Sequence, residues 1–285
     1  MPTEWRGTRL ASVSDFPLLV KFIFPTDKLS IQVHPDDAYA SVHEIAAGGR
    51  GKTEMWHVVS AKPGAHLLLG MKPGASKETF RESMRTNSLE DLFVEHPVHA
   101  GETFFVPART AHTIGSDMVI CEVQEYSDLT YRVYDYGRVD ANGQPRELHV
   151  EKALEVLNFG PTDGGVTSPL RLESSGANRS LLAACSYFAA ERWELDIHWE
   201  TQTDPSHFEL LTVLEGSGVI EAPGFSAKFR QAQCWFLPAN LHSYELVGSE
   251  PSTLLRAYVP NLDSLRQEAK NSGHVGASCA HTIFG

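Results

Sequence analysis

Gln32 and His34 stand two apart in the stretch LSIQVHPDD (29–37), where Leu29, Ile31 and Val33 alternate with Ser30, Gln32 and His34. Such alternation marks a strand with one apolar and one polar face, so the amide and the imidazole point to the same side. Glu54 opens the run EMWHVVS, and His112 follows the Pro-Ala turn of FFVPARTAHTI. Two imidazoles, a carboxylate and an amide oxygen suit a borderline divalent cation such as zinc, with one position left for water or substrate, provided that a folded sheet gathers them. Each residue alone is weak evidence in a chain with 13 histidines. His57, His66, His96 and His99 are read as ordinary polar positions, and Trp56 as a wall of the same pocket or as core.

Strands have to do the gathering. PLLVKFIF, LSIQVH, EMWHVVS, AHLLLG, ETFFVPA, MVICEVQEYS and TYRVYDYG are short apolar or alternating runs between Gly/Pro turns, the spacing of an antiparallel sandwich or barrel. Helical spacing is expected at about residues 36 to 46, 76 to 94 and 148 to 159. Beyond the loop GPTDGG the strand pattern resumes, and QCWFLPANLHSYE (233–245) repeats the layout of ETFFVPARTAHTI (102–114): an aromatic strand, a Pro-Ala turn, then a histidine. ELLTVLE matches EMWHVVS in the same way. A tandem of two similar β-domains follows.

Composition bounds the partners. The chain has 285 residues, 42% hydrophobic and 21% charged, which excludes a disordered or fibrous protein. A formal net charge of −12 argues against a nucleic-acid partner, yet a few local Lys and Arg still suffice to hold an anionic small molecule. No run has the length of a membrane span, and the start lacks the apolar core of a signal peptide, so no membrane partner and a cytoplasmic location are expected. Cys121, Cys185, Cys234 and Cys279 form no C-x-x-C pair and are read as reduced core thiols.

In order, LSIQVHPDD, KTEMWHV, FFVPARTAHTIG and EVQEYSDLTYRVYDYGR closely resemble the type I mannose-6-phosphate isomerases in their short bacterial form. The similarity runs from about Pro17 to Arg138 and continues more weakly to about residue 260. It implies a mainly β fold of two tandem cupin domains, jelly-roll β-barrels, with a few helices. The expected division is a metal-binding catalytic cupin domain at 1–147, a helical linker at 148–163, a second, degenerate cupin domain at 164–262 and a C-terminal tail at 263–285. By position, Gln32, His34, Glu54 and His112 match the family's ligands for one zinc per chain, other divalent metals being tolerated. Arg132 and Lys52 match its active-site arginine and lysine. Arg138, Tyr131 and Asp128 are lesser candidates, read as structural.

The reaction so implied interconverts mannose 6-phosphate and fructose 6-phosphate through an enediol. The metal serves the C1 and C2 oxygens, a base moves the proton, and cations anchor the remote phosphate. Arg132 suits a phosphate clamp or charge stabilisation at the reacting end. Lys52 suits either as a point charge, or a base if its pKa is depressed. The partner is thus a sugar phosphate, with a homodimer left open.

Two departures matter. About sixteen residues precede PLLVKFIF where the family usually has more strands, so an edge of the first barrel is expected to be missing or supplied by another chain or by the C-terminal segment. The second domain has no Q-x-H, and His198, Glu200, Glu209 and His242 are poor remnants of a site. The rival functions are a non-catalytic metal-containing cupin that binds a sugar or sugar phosphate, and an iron-dependent cupin oxygenase, for which Lys52 and Arg132 would be superfluous.

Overall fold

Residues 4–5, 8–9, 16–139, 141–174 and 176–285 are described by the computed structural model. Four larger antiparallel sheets carry the chain, two in each half. In the first half, one sheet runs Gly165–Val166, Thr103–Val106, Glu54–Ala61, Met118–Glu125, Leu18–Ile23 in spatial order. The facing sheet runs Tyr131–Tyr134, Ile31–Val33, His112–Ile114, His66–Met71, Phe93–Pro97. Trp56, Val58, Leu67, Leu69, Phe104, Val106, Ile114 and Ile120 form the apolar cluster of these strands. Period-2 alternation puts Ile31, Val33, Tyr131 and Val133 on the opposite face of the second sheet. They pack there with Phe80, Leu89, Leu154 and Val156.

The helices that cover this outer face begin where the sequence offers caps. Asp36 accepts from the Tyr39 amide to start Asp37–His43, and Ser76 with Thr79 forms a reciprocal capping box before Lys77–Thr86. The third helix is Val150–Val156. The expected span 76 to 94 is broken at Asn87, which takes a left-handed conformation and ends the helix before a short 3₁₀ turn at Leu89–Leu92. The strand expected over LSIQVH is shorter, Ile31–Val33, because Pro35 has no N–H with which to extend a ladder.

In the second half a six-stranded sheet faces a four-stranded one. Trp193, Trp199, Leu211, Val213, Ile220, Tyr244 and Leu246 fill the space between them. The halves meet through Leu18, Met55, Phe105, Cys121 and Val123 of the first against Leu182, Phe188, Ala190, Leu210 and Leu255 of the second. Near the chain's end, Phe284 donates its backbone N–H to Ala184 O at 2.8 Å while its ring stacks on Phe105 with centroids 3.9 Å apart. A tail without readable sequence pattern therefore fastens one half to the other.

The expectation about the first sheet's edge falls largely on residues 1–15, most of which lie outside the described residues. Among the described residues, Leu18–Ile23 is paired on one side only, and Gly165–Val166 covers the edge at Thr103–Val106. Cys121 and Cys185 are buried core thiols as expected, but Cys234 is exposed and Cys279 half-buried. No helix among the described residues is long and apolar enough to cross a membrane.

Candidate metal centre and its surroundings

Strand register builds the site. His112 pairs with Gln32 on one side and Leu69 on the other, and Gln32 pairs in turn with Arg132. Residues directly opposite in neighbouring strands share a face, so Arg132, Gln32 and His112 form a row across three strands. That face is the inner one, because His112 meets Trp56 of the other sheet edge-on at 5.1 Å. Glu54 begins the strand that carries Trp56, two residues earlier on the same face. His34 sits just past the end of its strand.

The side chains converge closely. His112 Nε2 lies 3.2 Å and His34 Nε2 3.5 Å from Glu54 Oε1, and Lys52 Nζ lies 3.0 Å from Glu54 Oε2. Gln32 Nε2 is 3.2 Å from His112 Nε2, and Lys52 Nζ is 3.3 Å from His34 Nε2. His34, Glu54 and His112 are essentially without solvent exposure.

Each histidine is fixed in one tautomer. His34 Nδ1 donates to Leu129 O at 2.8 Å and His112 Nδ1 to Thr110 O at 2.9 Å, so both Nε2 atoms present lone pairs to the centre. Burial keeps the rings neutral. It lowers His34, with Lys52 adding to the effect, and brings His112 to about 3 despite the Glu54 charge. Glu54 is itself desolvated, which raises its pKa, but the Lys52 ammonium beside it leads the opposing effects that hold it well below the carboxylate range. Among the described residues, none gives either Glu54 oxygen a well-directed hydrogen bond. Three electron-pair donors within 4.8 Å of one another, buried and facing each other, are an arrangement that a cation between them relieves. The donor set fits a borderline divalent ion. A flip of the Gln32 amide, indistinguishable by shape, turns its oxygen to the same point as a fourth donor.

Beside this centre lie groups that sequence reading missed. Glu122 pairs with Trp56 in register, is buried, and accepts from Trp56 Nε1 at 3.1 Å. Burial first, and the Glu54 charge second, raise its pKa to about 7. Lys21 donates to Gln124 Oε1 at 2.8 Å and lies 3.6 Å from Glu122 Oε2. The signal was present: E-x-Q inside MVICEVQEYS is the same period-2 polar pair as Q-x-H, and Lys21 interrupts an apolar run.

Arg132 donates from Nη1 to Glu147 O at 3.1 Å, and its buried Nε has no hydrogen-bond partner among the described residues. Its pKa is lowered, by burial first and then by the nearby Arg146. Lys52 is desolvated too, but Glu54 and Glu122 reverse the effect and raise its pKa, so it is a cation. His57 is buried against Thr103 Oγ1 at 2.9 Å, away from the ligands, and His99 and His66 bond only to nearby groups of their own loops.

In the second half, Glu209 stands opposite Leu237 as Glu54 stands opposite Val106. Among the described residues no histidine lies within ion-pair distance of it as His34 and His112 do of Glu54, and His207 Nε2 lies 3.5 Å from Arg256 Nη2. Instead Arg256 Nη2 lies 2.6 Å from Glu209 Oε1, and Arg256 Nη1 lies 3.0 Å from Glu191 Oε1. His242 is exposed, with its backbone tied to Thr203, and His198 pairs with Glu245 on the surface.

Comparisons with known proteins agree on one family. The family model described as mannose-6-phosphate isomerase, cupin domain, matches residues 178–258. A mannose-6-phosphate isomerase of Streptococcus mutans is 37% identical over 245 residues, covering 86% of this chain and 75% of that protein. One from Bacillus subtilis is 33% identical over 233 residues, covering 82% and 72%. The crystal structure of a Bacillus subtilis mannose 6-phosphate isomerase superposes with a TM-score of 0.78 at 30% identity, over 85% of this chain and 75% of that one.

Proposed function

The chain belongs to the type I mannose-6-phosphate isomerases of the cupin superfamily, and on that premise we propose that it interconverts mannose 6-phosphate and fructose 6-phosphate through an enediol at a zinc centre held by Gln32, His34, Glu54 and His112. The observation that carries the reading is the buried Glu54 carboxylate, without a directed hydrogen bond and faced by two imidazole lone pairs. The division at 1–147, 148–163, 164–262 and 263–285, with cupin barrels before and after the linker, belongs to the same proposal. It is supported by the pair of facing sheets in each half.

A divalent cation held by Gln32, His34, Glu54 and His112 would supply polarisation of the substrate's C1 and C2 oxygens and stabilisation of charge developing there. Aldose-to-ketose conversion needs a proton taken from C2 and returned to C1. Lys52, held as a cation by Glu54 and Glu122, is not available to accept one. Glu122, with a pKa near 7 and its Oε1 held by the Trp56 indole, is suited to carry the proton both ways. Lys52 then offsets negative charge beside the reacting oxygens. Arg132, one strand beyond Gln32, extends the site toward the far end of the sugar.

A coupled assay for fructose 6-phosphate formed from mannose 6-phosphate, run with and without a chelator, tests the proposal. Turnover that chelation abolishes and zinc restores is expected. Metal and mannose 6-phosphate both bound, with no product, would instead identify a non-catalytic sugar-phosphate-binding cupin.

A further inference from the structure

The second half carries an ion pair at the place where the first half carries Lys21 and Glu122, with the charges exchanged. Arg256 stands opposite Leu211 as Glu122 stands opposite Trp56, and Glu191 stands opposite Arg256 as Lys21 stands opposite Glu122. His207 precedes Glu209 by two residues, as Lys52 precedes Glu54. Beside Arg256 and His207 opens a cavity of about 460 Å³, bordered also by Arg179, Trp193, Trp199 and Tyr258. That volume is in the range of small-molecule pockets.

The groups behind it are fixed before any ligand arrives. Glu191, fully buried, accepts from Arg179 Nε at 3.0 Å, Arg256 Nη1 at 3.0 Å, Trp193 Nε1 at 2.7 Å and Tyr258 OH at 2.9 Å. The Arg256 guanidinium lies 4.2 Å over the Tyr258 ring, and the His207 ring stacks on Tyr258 with centroids 4.5 Å apart. Side chains so tied lose little further freedom when a ligand binds.

Charge then decides the class of ligand. Arg179 is paired with Glu191 and Glu268, and Arg256 with Glu191 and Glu209, so neither has a positive charge to spare for a phosphate. Burial lowers the His207 pKa, so that ring adds no positive charge. At the rim, Asp204 Oδ1 accepts from the Ser206 N–H at 2.7 Å and from its hydroxyl at 2.6 Å, and Glu268 Oε1 takes Arg179 Nη1 at 3.0 Å. The rim acids are therefore engaged too, and a cation entering the cavity would meet two guanidinium groups on its wall. What remains is hydrogen bonding without net charge. Three N–H bonds of Arg179 go to acids, which leaves N–H groups of its fork over, and Thr201 and Asn261 add neutral polar groups to the lining. Neutral donors and acceptors beside the Trp193 and Trp199 indoles suit a ligand with many hydroxyl groups and an apolar C–H face.

We propose that this cavity is a second, metal-free site that binds a neutral monosaccharide. The inference stands apart from the isomerase reading of the first half.

The test uses the zinc-loaded full chain, with D-mannose, D-fructose and D-glucose as probes and isothermal calorimetry as the readout. At least one hexose is expected to bind with a Kd of about 0.1–10 mM, and to bind equally well in His112→Ala, whose first-half metal site is impaired. In His112→Ala, mannose 6-phosphate should bind at least roughly tenfold more weakly than that hexose, about 1.4 kcal/mol. Ser264, exposed on the helix Leu262–Asn271, lines the cavity, so Ser264→Trp places an indole in its mouth. This variant should weaken hexose binding by a similar factor while turnover of mannose 6-phosphate stays unchanged. Gln202→Trp, from the exposed end of the strand His198–Gln202, carries the test if Ser264→Trp fails to fold. The proposal is overturned if none of the three hexoses binds, if binding is unaltered in the folded Trp variants, or if mannose 6-phosphate binds His112→Ala as tightly as the hexose does.

Discussion

Arg256 Nη2 lies 2.6 Å from Glu209 Oε1, at the place in the second half that corresponds to the opening of Glu54 toward two histidines in the first. A guanidinium satisfies this carboxylate from within the protein, and Tyr244 OH donates to its other oxygen at 3.2 Å. The second half accordingly needs no ion. We expect one divalent metal per chain, with metal content and turnover nearly unchanged in His242→Ala. Two ions per chain, falling to one in that variant by elemental analysis, would contradict this.

In the first half, His34→Ala and His112→Ala each remove a neutral nitrogen donor whose tautomer the backbone fixes. Both are expected to lose most of the bound metal and at least tenfold to a hundredfold in affinity, read by elemental analysis and by competition with a chromogenic chelator. Gln32→Ala should weaken binding less, since an amide oxygen is a neutral and weaker donor. Full metal content in both histidine variants would remove these residues from the ligand set.

Glu122→Gln keeps the acceptor for the Trp56 indole while removing the group able to carry a proton. A fall in kcat of roughly 10²–10⁴ with metal retained is expected. Wild-type kcat would move the proton transfer elsewhere.

Arg132→Lys keeps the charge and loses the fork. If the guanidinium stabilises charge at the reacting end, kcat should fall by roughly 10²–10³; if it holds phosphate in ground and transition states alike, KM should rise instead. Wild-type constants in Arg132→Ala, with metal and fold intact, would remove it from the site altogether.

Acid should destabilise the metal-free protein. His112 and His57 have folded pKa values pushed by burial to about 3 and about 4, below the 6.5 of the free side chain. An unfolded chain therefore binds protons below pH 6.5 that the folded chain refuses, and stability falls as pH falls. Glu122 and Glu125, raised to about 7 mainly by burial, act in the opposite direction between pH 4.5 and 7. The net loss should emerge below about pH 4.5, at a few kcal/mol in order of magnitude. Thermal melts from pH 7 to pH 3 check it: a Tm that holds steady below pH 4.5 would contradict the buried, neutral histidines.

Local pattern by itself determined a good deal. Alternation put Gln32 and His34 on one face, because side chains reverse at every residue of a strand, and caps at Asp36 and Ser76 set where helices begin. The motif order pointed to the family, and the Pro-Ala turns of the two halves led to the proposal of a repeat. What spacing along the chain does not carry is distance in space. Glu54 and His112 are 58 positions apart in the numbering, and only the packing of two sheets brings their donor atoms to 3.2 Å. Glu122 stayed unread because a Glu in a strand is ordinary until the fold buries it beside another carboxylate. Arg256 is the clearest case. Nothing in LLRAYV marks an arginine as an internal cation, since that role depends on which acids, Glu191 and Glu209, the tertiary structure encloses with it.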